Sequence, residues 1–525
     1  MKSDCFSDIV IVNIICVKDT YTFCKRRRRA SAGKRSFKMK YILSEYEPKL
    51  PLKYFEELSA IPRGSYNEKA AADWIESVAK DLGLEVYHDE WNNVLVKKAG
   101  SPGCEDLPPI ILQAHIDMVN EKNKDSDHDF SKDGLELYVD ENRILHAKGT
   151  TLGADDGKGC AYMLALMDKD GDTFAHPPFE FLFTSGEEVG FWGALRFDYS
   201  KISGKRLIGL DGGGEGQMCI TSAGFQEVTW SIPQDWEPAE GKAVKISIKG
   251  LKGGHSAGKI ADELGNSNKI MGRMLHNIWK EVEFNLSYID GGLMFNAIPR
   301  EAEAVILVHC DHCKAAAKKV FDRVCAEVKE EYATTEPDLF MSFEDAEAEK
   351  MVSKETTNKL VNCLFCIPNG VRMMDVRLPG IPVTSTNMGV VKTRDGKFTI
   401  NTMLRSMSAS LDADYVDHMC TIAALCGVED ADVSTWIPAW PYKPDSKLRQ
   451  DANALYKEQT GKDMELKAVH GGLELGVFSD NIPGLDMIPL GGTSDNAHTV
   501  TESLDIDSYA RVYEFMKEFI RRMTL

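Results

Sequence analysis

Leu112-Gln113-Ala114-His115-Ile116-Asp117-Met118-Val119 is the stretch whose reading decides the fold. Pro109-Ile110-Ile111-Leu112 leads into it and reads as a buried strand. His115 and Asp117 fall two residues apart where that strand ends. Side chains along a strand alternate faces, so both project the same way. An imidazole and a carboxylate converging at a strand end can begin a metal site. Taken alone, the pair is better read as an aspartate orienting a core histidine. The rest of the chain reverses that reading.

Upstream, Leu52 to Ala60 is helical in pattern, and Ile61-Pro62-Arg63-Gly64-Ser65 is a turn. Asn67 is the expected N-cap of a helix whose Ala71, Trp74, Ile75, Val78, Ala79 and Leu82 keep a 3.6 period. Leu84 to His88 and Asn93 to Lys97 read as strands. Downstream, the glycine-rich run Gly149 to Gly159 carries Asp155 and Asp156 and opens an apolar helix over Cys160 to Met167. Its spacing is not that of a phosphate loop, and two adjacent carboxylates would repel phosphate. An aspartate at such a turn suits a metal, although alone it reads as a helix cap. Phe179 to Phe183 is a further strand, followed by Gly186-Glu187-Glu188, and Arg206 to Leu210 is another, followed by Asp211. Met487 to Leu490 precedes His498, and a terminal helix runs from about Ser508 to Met523. Carboxylate or imidazole thus recurs at element boundaries. In open α/β sheets, ligands bind beyond the carboxyl ends of strands.

The expected class is α/β: a mixed-sheet, three-layer catalytic domain with an inserted α+β lid domain. The catalytic domain is expected in two parts, 39–224 and 438–525. The insert, 225–437, alternates strands (Val244 to Ile248, Ala302 to Val308, Thr384 to Val391) with helices near 266–280, 314–330 and 412–425. Residues 1–38 combine a short apolar run with Arg26 to Arg29 behind it, the reverse of a signal peptide. They are expected to be a disordered or mis-called leader, with Met39 the true start.

The 525 residues carry a formal charge of −19, which argues against nucleic acid or an anionic membrane as partner. No apolar run approaches the roughly 18 residues of a membrane span. Thirteen cysteines, an odd number without framework spacing, suit reduced thiols and a cytoplasmic enzyme.

Together, His115-x-Asp117, Gly153-Ala-Asp155-Asp, Gly186-Glu187-Glu188, Leu210-Asp211 and His498 resemble the co-catalytic zinc peptidases that include aminoacylase, glutamate carboxypeptidase and bacterial di- and tripeptidases. The resemblance runs from Met39 to Leu525. Within that group the chain looks most similar to the aminoacyl-histidine (Xaa-His, carnosinase-type) dipeptidases. Ile61-Pro-Arg-Gly-Ser65, Gly250-Leu-Lys-Gly-Gly-His-Ser256, Asn296-Ala-Ile-Pro-Arg-Glu301 and His470-Gly-Gly-Leu-Glu-Leu-Gly476 carry that likeness.

The resemblance implies a dinuclear zinc dipeptidase acting on Xaa-His substrates, β-alanyl-histidine included, with Co2+ or Mn2+ as substitute metals. Asp155 would bridge two Zn2+ ions. His115 and Asp211 would complete one ion, Glu188 and His498 the other. Glu187 would be the general base and Asp117 would orient His115. His255 would donate to the developing oxyanion. Asn296, Arg300 and Arg405 are candidates for substrate binding, with the choice of arginine open. His470 and Glu474 are expected to meet substrate, Glu474 at its amino group. Asp156 competes with Asp155, and His470 with His498. The implied partner is a dipeptide, with a homodimer a further expectation. A deacylase or tripeptidase of the same family, or a non-catalytic binding protein on the scaffold, are the alternatives. His309-Cys310-Asp311-His312-Cys313 looks like a zinc knuckle and Cys363-Leu-Phe-Cys366 like a redox pair, but neither has a second ligand pair. Met373 and Met374 read as core filler.

Overall fold

In the computed structural model, which describes residues 41–525, the strand before His115 is an interior member of a mixed six-stranded sheet. The expected leader over 1–38 and the start at Met39 lie outside the described residues. In chain order the strands are Glu85–His88 (β1), Val94–Lys98 (β2), Ile110–His115 (β3), Phe179–Thr184 (β4) and Arg206–Gly209 (β5), with Asp486–Pro489 arriving last. They stand in the order β1-β2-β4-β3-β5, with Asp486–Pro489 outside β5. β1, β2 and β4 pair antiparallel. β4, β3, β5 and Asp486–Pro489 run parallel.

β3 and β4 are buried at every position, as expected of strands covered on both faces. Ile110, Leu112, Phe181, Phe183 and Ile208 face one core with Phe55, Ile75, Tyr162 and Tyr509. Ile111, Leu182, Leu207 and Met487 face the opposite way, against Phe191, Phe197, Trp440 and Phe478. The period of two therefore fills both sides of one sheet, and helices close each side.

The helices depart from expectation in detail. The first spans Lys49–Ser59 and the second Lys69–Asp81. Asn67 does not cap the second. Its N–H donates to Gly64 O at 2.8 Å and closes a turn, and Glu68 takes the cap position without a side-chain cap bond. The third, Ala154–Met167, starts earlier than Cys160, but Asp155 and Asp156 are non-helical within it. The glycine-rich loop thus enters the helix as an irregular turn.

Residues 224–433 supply all nine strands of an antiparallel sheet. Its order is Phe340–Asp345, Lys242–Lys249, Ala302–Val308, Phe284–Gly291, Pro382–Arg394, Lys397–Ser406, Gly224–Pro233, Ala431–Val433, with Gly370–Met374 pairing off Pro382–Arg394. Val244, Ile246 and Ile248 turn toward Ile270, Met274, Leu360 and Met419 of the covering helices, while Lys245 meets Glu303 on the other face. Helix Lys354–Cys366 is not anticipated by the sequence reading. Met373 and Met374 are exposed, not core filler, because Gly370–Met374 is a short outer strand. No described helix is long and apolar enough to cross a membrane.

Phe181 is fully buried between sheet and helices. Phe181→Ala should cost about 3–5 kcal/mol, read as a lower urea midpoint; an unchanged midpoint would contradict the packing described.

Candidate metal centre

Four parallel strands deliver their carboxyl ends to one edge of the sheet. His115 ends β3, Glu187 and Glu188 follow β4, Asp211 follows β5, and His498 follows Asp486–Pro489. Asp155 enters from the loop ahead of the third helix. It lies between two imidazoles. Its Oδ1 is 3.0 Å from His115 Nε2, and its Oδ2 is 3.3 Å from His498 Nε2. His498 Nε2 is also 2.8 Å from Glu188 Oε1. Donor atoms of His115, Asp155 and Glu188 all fall within 4.8 Å of one another. The Asp155 carboxylate thus turns each oxygen toward a different imidazole.

Asp156 touches neither imidazole. It is buried, its Oδ1 accepts the Gly159 N–H at 3.1 Å, and its Oδ2 has no partner. Asp211 stands apart from the tight grouping. Its side chain is 34% exposed, with Oδ1 3.9 Å from Lys158 Nζ. It shares with His115 and Glu474 the wall of a pocket of about 210 Å3. His498 adopts φ 66, a left-handed conformation. Such a backbone costs about 1–3 kcal/mol and clusters at functional sites.

Asp117 ties two strand ends together. Its Oδ1 is 3.4 Å from His115 Nδ1. It also accepts the Glu187 N–H at 3.0 Å, the Glu188 N–H at 3.3 Å and the Ser65 hydroxyl at 2.8 Å. One carboxylate thereby sets the imidazole of β3 and the backbone of the glutamate pair. The Asp155 loop is held from two sides. Buried Arg63 donates to Gly153 O and to the Ile116 and Asp117 carbonyls. Glu502 accepts the N–H groups of Leu152, Gly153 and Asp155 at 2.8, 2.9 and 3.2 Å. Sequence reasoning assigned no role to Arg63, Ser65, Lys158 or Glu502. The one available signal was position, since Arg63 and Ser65 share a quoted turn and Glu502 closely follows His498.

Acidic groups outnumber cationic ones here, and their proton affinities diverge. Burial opposes charge on Asp155, yet bonds to His115 and His498 hold its carboxyl well below the usual range. Burial pushes Asp156 up to about 7. Burial, then the charges of Asp155 and Asp156, lifts Asp211 well above its usual range. Bonds to Asp155 and Glu188 raise His498 to about 10. Imidazole nitrogens and carboxylates in surplus form a donor set that fits divalent cations such as zinc.

The remaining site residues gather elsewhere. His470 Nε2 is 2.7 Å from Ser385 Oγ on the nine-stranded sheet and takes no part in the metal grouping. Glu474 Oε2 accepts from Gln113 on β3 at 2.7 Å and Thr184 on β4 at 2.8 Å, leaving Oε1 unpartnered. The segment from His470 to Glu474 therefore spans from one sheet to the other. Arg405 is buried, donates to Ser256 Oγ at 3.1 Å and has no carboxylate partner among the described residues. Burial lowers its guanidinium to about 10. Arg300 is exposed, and its Nε donates to Leu251 O at 3.1 Å. His255 pairs with Ala297 in a short ladder, and the Asn296 carbonyl accepts the Ser256 N–H at 2.8 Å. His255 Nδ1 accepts the Ala257 N–H at 3.3 Å. With Nδ1 accepting, the proton of a neutral ring resides on Nε2, which is then a donor. Burial and the Arg405 charge keep this ring neutral by lowering its proton affinity. The same two causes lower His470 to about 3.

Residues 111–522 match the profile of Peptidase family M20/M25/M40. The chain is 34% identical over 489 residues to the cytosol non-specific dipeptidase of Escherichia coli, covering 92% of this chain and 99% of that one. The aminoacylhistidine dipeptidase from Vibrio alginolyticus is similar in structure, with a TM-score of 0.82 and 31% identity over 91% of this chain and 98% of that chain. An aminopeptidase from Bacillus cereus shares the fold at a TM-score of 0.53 and 17% identity, over 91% of this chain and 100% of that chain.

Glu502→Gln replaces with an amide nitrogen one of the two oxygens that together accept three backbone N–H groups. Divalent metal affinity should fall about 10–100-fold, measured by competition with a chelating dye. Unchanged affinity would mean that Glu502 does not set the Asp155 loop.

Proposed function

This chain belongs to Peptidase family M20/M25/M40 and is a metallopeptidase of dipeptidase type, and we propose that it uses two zinc ions to hydrolyse Xaa-His and related dipeptides, β-alanyl-histidine among them. The observation that carries the reading is Asp155, with one oxygen toward His115 and the other toward His498. Asp155 would be shared, His115 and Asp211 would complete one ion, and Glu188 and His498 the other. Co2+ or Mn2+ would substitute on the same donors. When bound, the two cations would polarise the scissile carbonyl and acidify the attacking water.

The chain supplies the rest. Glu187 takes a proton from the water on its carboxylate and returns it to the leaving amide nitrogen. Asp117 holds Nδ1 of His115, fixing which nitrogen faces the site. His255 donates from Nε2 to the oxygen that gains charge on the carbonyl. Of the two arginines, Arg405 is the better ligand for the substrate's terminal carboxylate. Each spends its Nε on one oxygen, but the Arg405 cation is buried without a carboxylate partner, whereas Arg300 is exposed to solvent. A fork of N–H donors matches a carboxylate bidentately. Asn296 and His470 would line the same end, and the unpartnered Glu474 Oε1 would meet the amino group. Residues 225–437 would act as a lid, flanked by the catalytic parts 39–224 and 438–525. The Escherichia coli relative is named a cytosol enzyme, and we place this chain in the cytoplasm as well. A homodimer is part of the same proposal; nucleic acid and membrane are not.

With zinc supplied, β-alanyl-histidine and other Xaa-His dipeptides should be turned over, and N-acetyl amino acids should not. Glu187→Gln should retain metal while kcat falls about 100–10,000-fold. Turnover of N-acetyl amino acids alone would overturn the substrate assignment. Loss of metal in Glu187→Gln would overturn the role of that glutamate.

Arg405→Ala should lower kcat/KM for free dipeptides about 10–100-fold. It should leave the slow hydrolysis of dipeptide amides, which lack the carboxylate, unchanged. Equal losses on both substrates would contradict carboxylate recognition by Arg405.

A further inference from the structure

Away from the metal centre, Cys310 and Cys313 meet at the start of helix Asp311–Glu331. Their Sγ atoms are 2.9 Å apart. Cys310 is the N-cap, and its sulfur accepts the Cys313 N–H at 3.3 Å. The two thiols are unequal. Cys313 packs against the apolar core of the nine-stranded sheet. Cys310 sits among exposed His309, Asp311 and His312. Neither is fully buried, and neither is in a disulfide.

The N-terminus of a helix stabilises a thiolate through its unsatisfied N–H groups and dipole. Here the Cys313 thiol, then the N–H groups of Cys313 and His312, lower the Cys310 thiol. Cys310 in turn raises the Cys313 thiol. Asp311 opposes this, but Lys242 Nζ stands 3.6 Å from its carboxylate. Lys314, the next cation on the helix, is occupied by Asp345. A structural zinc ion needs four ligands, and this pair is not among the described groupings with metal spacing. Two half-buried sulfurs in contact, one at a helix cap among exposed neighbours and one packed against the core, suit electron chemistry instead.

We propose that Cys310 and Cys313 form a thiol–disulfide exchange site that reacts with low-molecular-weight disulfides, Cys310 attacking and Cys313 resolving. The Cys310 thiolate attacks one sulfur of the small disulfide, forms a mixed disulfide and expels one thiolate. Cys313 gives up its proton and attacks the Cys310 sulfur, forming the Cys310–Cys313 bond and releasing the second thiolate. Two protein thiols are oxidised and one disulfide is reduced to two thiols. Excess small thiol reverses both steps. The proposal does not depend on the peptidase reading.

The test uses the full chain, reduced, freed of reductant and equilibrated with glutathione buffers of rising disulfide content. Acid quenching and differential alkylation then precede peptide mass spectrometry. A reversible Cys310–Cys313 disulfide should form before Cys104 or Cys366 is modified. Cys313→Ser should trap one glutathione on Cys310, while Cys310→Ser should trap none on Cys313. Iodoacetamide should alkylate wild-type Cys310 about 10-fold faster than Cys104 at neutral pH, a readout that needs no variant. A pair that stays reduced at the highest disulfide content, or a Cys310 no more reactive than Cys104, would overturn the proposal.

Discussion

The backbone ladder that joins β4, β3, β5 and Asp486–Pro489 is parallel throughout, so four chain exits lie along one sheet edge. Antiparallel pairing anywhere in that set would send one exit to the opposite edge. His115, the Glu187-Glu188 pair, Asp211 and His498 come from separate segments spread between residues 115 and 498, and this ladder is what gathers them. The loop that carries Asp155 is fixed by different means. Arg63 grips its carbonyl side and Glu502 its N–H side. Asp117 then couples the end of β3 to the turn after β4. Strand pairing sets the coarse position of each donor, and buried charged hydrogen bonds set its orientation.

Electrostatics gives the arrangement its direction. A cluster of carboxylates held together by protein alone is costly, because burial disfavours their charge and like charges repel, so some must take up protons. Asp156 and Asp211 show that tension in proton affinities raised by burial first and by neighbouring carboxylates second. Divalent cations bound there would relieve it. A second theme is the segment from His470 to Glu474. It contacts Ser385 on one sheet and Gln113 and Thr184 on the other, so the region around Arg405 and His255 is connected to the region around His115 by a few residues. Recognition of a short substrate at both ends needs such a short span.

Much of this is legible in the sequence where the cause is local. β3, β4 and β5 are nearly continuous apolar runs because both their faces are covered. The donors stand at strand ends, where a change of residue type is easy to see. The chain also belongs to the dipeptidase family that its motifs resemble. What escaped has tertiary causes. Arg63 and Glu502 act on backbone groups far away in the chain, and nothing in their neighbours announces it. Asn67 looks like a cap, but it belongs to the preceding turn and the helix starts one residue later, after Glu68. Met373 and Met374 look like core, but their strand lies at the margin of the sheet. Arg300 and Arg405 are indistinguishable as letters, and only burial separates them.

The central claim is that Asp155 joins two cations, each with its own imidazole. Crystals grown with zinc, measured on both sides of the zinc absorption edge, test it directly. The account predicts two anomalous peaks per chain flanking the Asp155 carboxylate, one beside His115 and the other beside Glu188 and His498. A single peak, or two peaks that leave Asp155 or His498 uncoordinated, would contradict it.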